Sequence, residues 1–250
     1  MLSSMIEIRN LSVSVDGKRI LNDVNLDIEQ GETIVLFGPN GSGKTSLLKT
    51  IMGIPQYRVE SGNIVFRGED ITKRSIDERA RLGIGIVFQN PPAVRGVKLR
   101  DMLRICMEKI GSYKEERINE DADKLNLTEF LDRDINLGFS GGEIKRSELL
   151  QLLAQKPEFV MFDEPDSGVD LVNINLVGKV INELIEKDKR KEKRTTGGLI
   201  ITHAGYILDY VNADRAYVML NSTVSCSGNS RDILDDIRAK GYEECVRCRR

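Results

Sequence analysis

GPNGSGKT, Gly38–Thr45, joins the apolar run TIVLF to the helical pattern SLLKTIMG. It fits the spacing G-x-x-x-x-G-K-[ST], which needs a strand before it and a helix after it. Gly41 and Gly43 permit backbone dihedrals that turn successive N–H groups toward one anion. The helix that follows adds the partial positive charge of its N-terminus. Lys44 is then placed to reach nucleotide phosphates, and Thr45 to ligate Mg²⁺. The candidate cradle is Gly38, Pro39, Asn40, Gly41, Ser42, Gly43, Lys44, Thr45 and Ser46. The plainer alternative is a glycine-rich turn that binds nothing, and the strand–loop–helix setting weighs against it.

A second half of such a site stands further along. EFVMFDEP, Glu158–Pro165, is an apolar strand ending in two carboxylates. Asp163 suits a Mg²⁺ contact, direct or through water. Glu164 is the candidate general base for an attacking water. An acidic turn after a core strand is the structural alternative. In FSGGE, Ser140 reads as a helix N-cap with Glu143 as its capping-box partner. Capping alone would explain the pair, yet Ser-Gly-Gly at a helix start also makes a second anion site. LIITHAGY carries the only histidine, His203, at the end of an apolar run. Alone it reads more readily as a satisfied core residue, since it ends an apolar strand.

Around these motifs the chain alternates strands and helices. IEIRNLSVSV and RILNDVNLDI alternate apolar and polar residues about the turn DGK, which predicts a hairpin. GNIVFRG and GIGIVFQ are two further strand candidates. Residues 99–126 are charged and helical, an insert between sheet segments. EFVMFDE and GGLIITH are fully apolar strands, each after a helix, at 141–155 and 171–187. Near-continuous apolar strands alternating with helices predict a parallel sheet covered by helices. KDKRKEKRTT reads as a solvated helix end and loop.

With 250 residues, 40% of them hydrophobic and 30% charged, the chain can bury a core without staples. A net charge of -2 argues against binding nucleic acid by bulk electrostatics. No run reaches the roughly 18 apolar residues of a membrane span, so no direct membrane insertion is expected. MLSSMIEIRN lacks a signal-peptide pattern, and a cytoplasmic location is expected. Four cysteines make no visible disulfide framework.

Taken in order, these segments resemble the ATP-binding-cassette (ABC) ATPases over nearly the whole chain. GPNGSGKT matches the Walker A loop, and Gln89 in VFQN the Q-loop glutamine. FSGGE matches the signature usually seen as LSGGQ. FVMFDE matches Walker B, SGVD the D-loop with Asp170, and His203 the switch histidine. The resemblance implies an α/β P-loop NTPase of the ABC type: a RecA-like core, an antiparallel β subdomain and a helical subdomain. One domain would span 1–250, with 90–157 as the helical signature subdomain. ATP and Mg²⁺ are the implied ligands, with Thr45, Gln89 and Asp163 at the metal. Glu164, His203 and Gln89 would serve hydrolysis. The family's head-to-tail, ATP-dependent homodimer would close Ser140, Gly141 and Gly142 of one chain over the nucleotide of the other. Asp170 would couple the two sites. Many relatives stack the adenine on an aromatic residue in the first hairpin. Val15 occupies that position here, which implies weak base selectivity and measurable GTP use.

Finer stretches resemble the SufC-type ATPases of iron–sulfur cluster assembly: NLGFSGGEIKRSELLQ, DEPDSGVD, ITHAGYILDY and AKGYE. Asp166 and Gly168 stand where transporter subunits commonly carry Thr and Ala. That resemblance implies SufB- and SufD-like scaffold partners contacting residues 89–102. The alternative is the nucleotide-binding subunit of an ABC transporter. Cys245 and Cys248 form a C-x-x-C in a basic terminal stretch. Two ligands are too few for a structural metal site, and a disordered tail is expected there, with a transient metal or partner contact as the alternative. Cys106 and Cys226 are expected to pack as small hydrophobes.

Overall fold

The computed structural model describes residues 4–202 and 205–248. The chain opens with β1 (Ser4–Val15) and β2 (Lys18–Glu29), joined at Asp16 and Gly17. Both turn residues have positive φ, at 50° and 78°, as a two-residue hairpin loop of the right twist requires. Then come β3 (Thr33–Phe37), α1 (Lys44–Met52), β4 (Arg58–Phe66), β5 (Glu69–Asp70), α2 (Ile76–Arg81) and β6 (Ile84–Val87). β7 (Val94–Lys98), α3 (Leu99–Lys109), α4 (Glu115–Lys124), β8 (Asp134–Ile135) and α5 (Gly141–Gln155) follow. The last elements are β9 (Phe159–Asp163), α6 (Leu171–Leu184), β10 (Gly197–Ile201), β11 (Arg215–Leu220), β12 (Thr223–Gly228) and α7 (Ser230–Cys248).

The main sheet has the order β12-β11-β3-β10-β9-β6. Its pairings are parallel from β11 to β6, and β12 adds an antiparallel edge. β3, β9 and β10 are buried at every residue. Burial on both faces explains their unbroken apolar composition. A second, antiparallel sheet has the order β2-β1-β4-β5. Its inner residues, among them Ile6, Ile8 and Leu26, share a core with β3 and α1. Helices α3, α4, α5 and α6 pack through a separate apolar cluster on the other face.

Three expectations need correction. The basic tail is helical: α7 runs to Cys248, with a break at Gly241 (φ 79°, ψ 173°). Cys245 is 0% exposed and packs with Val35, Phe37, Ala216 and Val218. Terminal position and charge predicted disorder, but an apolar pair, Cys245 and Val246, has a sheet face to cover. The run after α6 is not wholly solvated either. Lys187 is nearly buried and donates to Asp214 at 2.8 Å. Finally, β7, β8 and the β11–β12 hairpin lie outside the strands read from the sequence. Cys106 and Cys226 are half-buried against apolar clusters, as expected.

Candidate functional site

The phosphate loop leaves the C-terminal end of β3 and enters α1. Ligands bind at this edge of a parallel α/β sheet. Gly43 has φ 102° at the start of α1, a conformation that favours glycine. A Cβ on Gly38 would stand 2.3 Å from the Met219 carbonyl and 2.7 Å from Ser42 Oγ, so the loop admits no side chain there. Ser42 Oγ is buried with no hydrogen-bond partner. The Lys44 ammonium is buried and donates to the Gly38 and Pro39 carbonyls at 2.7 and 3.0 Å. Burial lowers its pKa, against the pull of Glu164 and Asp163.

β10 lies between β3 and β9, so the acidic strand end stands one strand away from the loop. The Thr45 hydroxyl donates to Asp163 Oδ1 at 3.1 Å. Asp163 is 1% exposed. Burial raises its pKa; the Thr45 hydrogen bond opposes this, and the Glu164 charge adds to it. The Gln89 side-chain amide donates to Glu164 Oε2 at 2.7 Å. Glu164 holds φ 50°, and its N–H donates to the Ile201 carbonyl at 3.0 Å. A left-handed residue directly after a strand turns the chain sharply and sets the carboxylate at the sheet edge.

These groups meet around a cleft of about 620 Å³. Its walls include Asn40, Gly41, Gly43, Lys44, Thr45, Ser46, Gln89 and Glu164. The donor set at the Thr45–Asp163 contact is all oxygen and suits Mg²⁺. Among the described residues no three His, Cys, Asp or Glu side chains form a metal cage. Mg²⁺ needs none, because it keeps water and takes one or two carboxylates plus phosphate oxygens.

Other expected residues stand apart. Ser140 caps α5: its N–H donates to Glu143 Oε2 at 2.7 Å, and its Oγ accepts from the Glu143 N–H at 3.4 Å. Ser140 and Gly141 are exposed, and neither they nor Gly142 line the cleft of their own chain. Asp170 accepts from the Asn173 backbone and side-chain amides at 2.9 and 2.7 Å, as a helix cap does. His203 lies outside the described residues. Val15 does not line the cleft; Lys18, Arg19, Ile20 and Ser222 form that part of its wall. Ser222 comes from the β11–β12 turn, and nothing local in the sequence marks it.

The sequence reading also missed the buried charges on α5, Lys145, Arg146 and Glu148. Lys145 donates to the Phe88 and Gln89 carbonyls and is 3% exposed. Glu148 Oε1 accepts the Phe88 N–H at 3.1 Å, and burial pushes its pKa up to about 7. Charged residues inside a long helix ordinarily mark its solvated face, so their pattern gives no hint of this.

The ABC transporter family model matches residues 21–167. A Streptococcus pyogenes serotype M3 protein described as "Probable ABC transporter ATP-binding protein" is 39% identical over 249 residues, covering 96% of this chain and 94% of its own. A Synechocystis protein described as "Probable ATP-dependent transporter" is 36% identical, covering 97% and 96%. Among solved structures, the ADP conformation of an ATP-binding cassette of an ABC transporter superposes with a TM-score of 0.74 at 25% identity, covering 97% of this chain and 98% of that one. A nucleotide-free cassette gives 0.76 at 23%, with the same coverage. No described helix is long and apolar enough to cross a membrane. The chain belongs to the ABC ATPases, enzymes that hydrolyse ATP with Mg²⁺.

Proposed function

We propose that this chain is the ATP-hydrolysing subunit of a cassette system and drives a separate partner protein. The convergence of Lys44, Thr45, Asp163, Gln89 and Glu164 on one cleft carries the reading. Gly38–Ser46 would cradle the phosphates, with Lys44 neutralising them. Thr45, Asp163 and Gln89 would hold Mg²⁺, which when bound offsets charge on the β- and γ-phosphates. Glu164, held by Gln89, would orient and polarise the attacking water. His203 takes the switch role on the motif resemblance alone.

The exposed Ser140, away from its own chain's cleft, supports a head-to-tail dimer. ATP would be shared between the phosphate loop of one chain and Ser140, Gly141 and Gly142 of the other. ATP then favours the closed dimer by its extra contacts there, the differential affinity that a shift of equilibrium requires. Asp170 would couple the two sites. Residues 90–157 would be the helical subdomain of the single domain, with the partner docking along 89–102.

The descriptions of the relatives support a transporter's membrane subunit as that partner. A second reading, a SufB/SufD-like scaffold in the cytoplasm, is carried by the SufC-type stretches. Its Asp166 accepts from the Thr202 hydroxyl at 2.9 Å, joining the segment after β9 to the end of β10. Affinity purification of the full chain from its native cells separates them. Recovery of an integral membrane protein supports the first reading, and recovery of a soluble scaffold supports the second. An active chain that binds neither, in any nucleotide state, sinks the proposal of a driven partner.

A further inference from the structure

β6 pairs with β9 as far as Val87, opposite Phe162. The part-buried backbone groups that follow need other partners. They find them on α5. Glu148 Oε1 accepts the Phe88 N–H at 3.1 Å. The Lys145 ammonium donates to the Phe88 carbonyl at 2.5 Å and to the Gln89 carbonyl at 3.1 Å. Residues 145 and 148 are neighbours on one helix face, at the i, i+3 spacing. Between them they serve the Phe88 N–H and both carbonyls.

Lys145 is 3% exposed and Glu148 7%. Lysine and glutamate are rarely buried so far, because each charge must shed its water. Charge-assisted hydrogen bonds are shorter and stronger than neutral ones, so what these groups supply is a firmly held position. The plainer alternative is a cap that only satisfies the backbone where a strand ends.

The segment so held carries the residue that meets Glu164. The Gln89 side-chain amide donates to Glu164 Oε2 at 2.7 Å. Fixing the Gln89 backbone limits where that amide can reach. A misplacement of about 1 Å near a reacting group can cost about 100-fold in rate. Neither Lys145 nor Glu148 lines the nucleotide cleft. The support for Glu164 therefore comes in part from α5, the helix that Ser140 caps. Lys145 also feels the charges of Asp163 and Glu164, so removing it would alter the field of the site directly. Glu148 is the cleaner handle.

We propose that Glu148, with Lys145, is a positioning residue for hydrolysis: it holds the Phe88–Gln89 backbone so that the Gln89 amide meets Glu164. The inference rests on the reading that Gln89 and Glu164 serve hydrolysis, and adds what sets their contact.

The test uses the full chain and two opposed variants. Glu148→Asp keeps the charge and withdraws the carboxylate by one methylene. Glu148→Gln loses the charge and keeps an acceptor in place. In steady-state ATPase assays Glu148→Asp should lower kcat at least about tenfold with KM for ATP within about twofold, the mark of an interaction used only in the transition state. Glu148→Gln should stay within about threefold of the wild-type chain, because the Phe88 N–H still has its acceptor. In a Gln89→Ala background Glu148→Asp should cost no more than about twofold, since a residue acting through Gln89 has nothing left to act on. An equal loss in both backgrounds, or Glu148→Gln as slow as Glu148→Asp, overturns the positioning role. If Gln89→Ala slows turnover and Glu148→Asp does not, the clamp fails alone. If Gln89→Ala leaves turnover unchanged, the reading of Gln89 fails and takes the clamp with it. Amide exchange by NMR needs no variant to fold. The Phe88 N–H should be protected in the wild-type chain, and rapid exchange there overturns the clamp.

Discussion

Gln89 and Glu164, 75 residues apart, are joined by a 2.7 Å hydrogen bond in the wall of the candidate nucleotide cleft. The amide donates to the carboxylate, so it fixes the acid as an acceptor at the sheet edge. Replacing Glu164 with Gln removes the carboxylate base a water must meet while keeping the size of the side chain. Turnover should fall by at least about 100-fold, the low end for loss of general acid–base catalysis. Phosphate release and nucleotide binding, measured side by side, check this. Near-normal release would return Glu164 to an acidic turn.

Thr45 and Asp163 form the other long-range pair, at 3.1 Å. Burial disfavours the Asp163 carboxylate and the neighbouring Glu164 charge adds to this, so a bound cation would offset both charges. Thr45→Ala takes away one oxygen donor. The Mg²⁺ concentration giving half-maximal ATPase should rise at least about tenfold, or 1.4 kcal/mol. An unchanged Mg²⁺ profile would exclude Thr45 as a ligand.

Ser140 is exposed at the start of α5, with its side chain committed to a capping box. Ser140→Arg in the Glu164→Gln background should stay monomeric with ATP by light scattering, where Glu164→Gln alone dimerises. Nucleotide binding to the monomer should persist. Dimerisation of the double variant would rule out a nucleotide shared across this contact.

Glu148 gives a pH signature. Its folded pKa of about 7 lies above the ordinary 4.5, because burial disfavours the charged form. The sign follows from linkage. Its contribution is fully present below the unfolded value and is lost as pH rises through the folded one. The gap between 4.5 and about 7 corresponds to about 3 kcal/mol, an upper figure for a group so largely buried. Glu148→Gln should abolish that slope. Urea unfolding of both chains at about pH 5 and about pH 8 measures it. Parallel pH dependence in the two would show that Glu148 does not titrate in this window.

The terminal helix gives the last prediction. Cys245 and Val246 are buried against β3 and β11. Ending the chain after Tyr242 exposes that sheet face. The loss is about 2–4 kcal/mol from apolar burial, seen as a melting temperature lower by about 4–16 °C. An unchanged melting temperature would mean that the segment adds nothing to the core.

Local demands on the backbone were legible without a structure. The phosphate loop, the Asp16-Gly17 turn and the Ser140–Glu143 capping box each use neighbouring residues to meet a backbone requirement. The buried strands showed themselves by composition, since burial on both faces excludes polar residues. Less legible were groups whose environment comes from elsewhere. Lys145 and Glu148 read as an ordinary charged helix face until the segment after β6 covers them. The C-x-x-C tail reads as disordered until a sheet face is found for it.

The chain's sequence by itself determined the fold class, the cradle and the order of its motifs, because spacing and periodicity are written in adjacent residues. Only the tertiary structure decided what faces what. Placing β10 between β3 and β9 sets Asp163 against Thr45, 118 residues away. The same packing buries Glu148 and Asn136, each with one oxygen that has no hydrogen-bond partner. Contacts over such separations depend on strand order and layer packing, which no local pattern encodes.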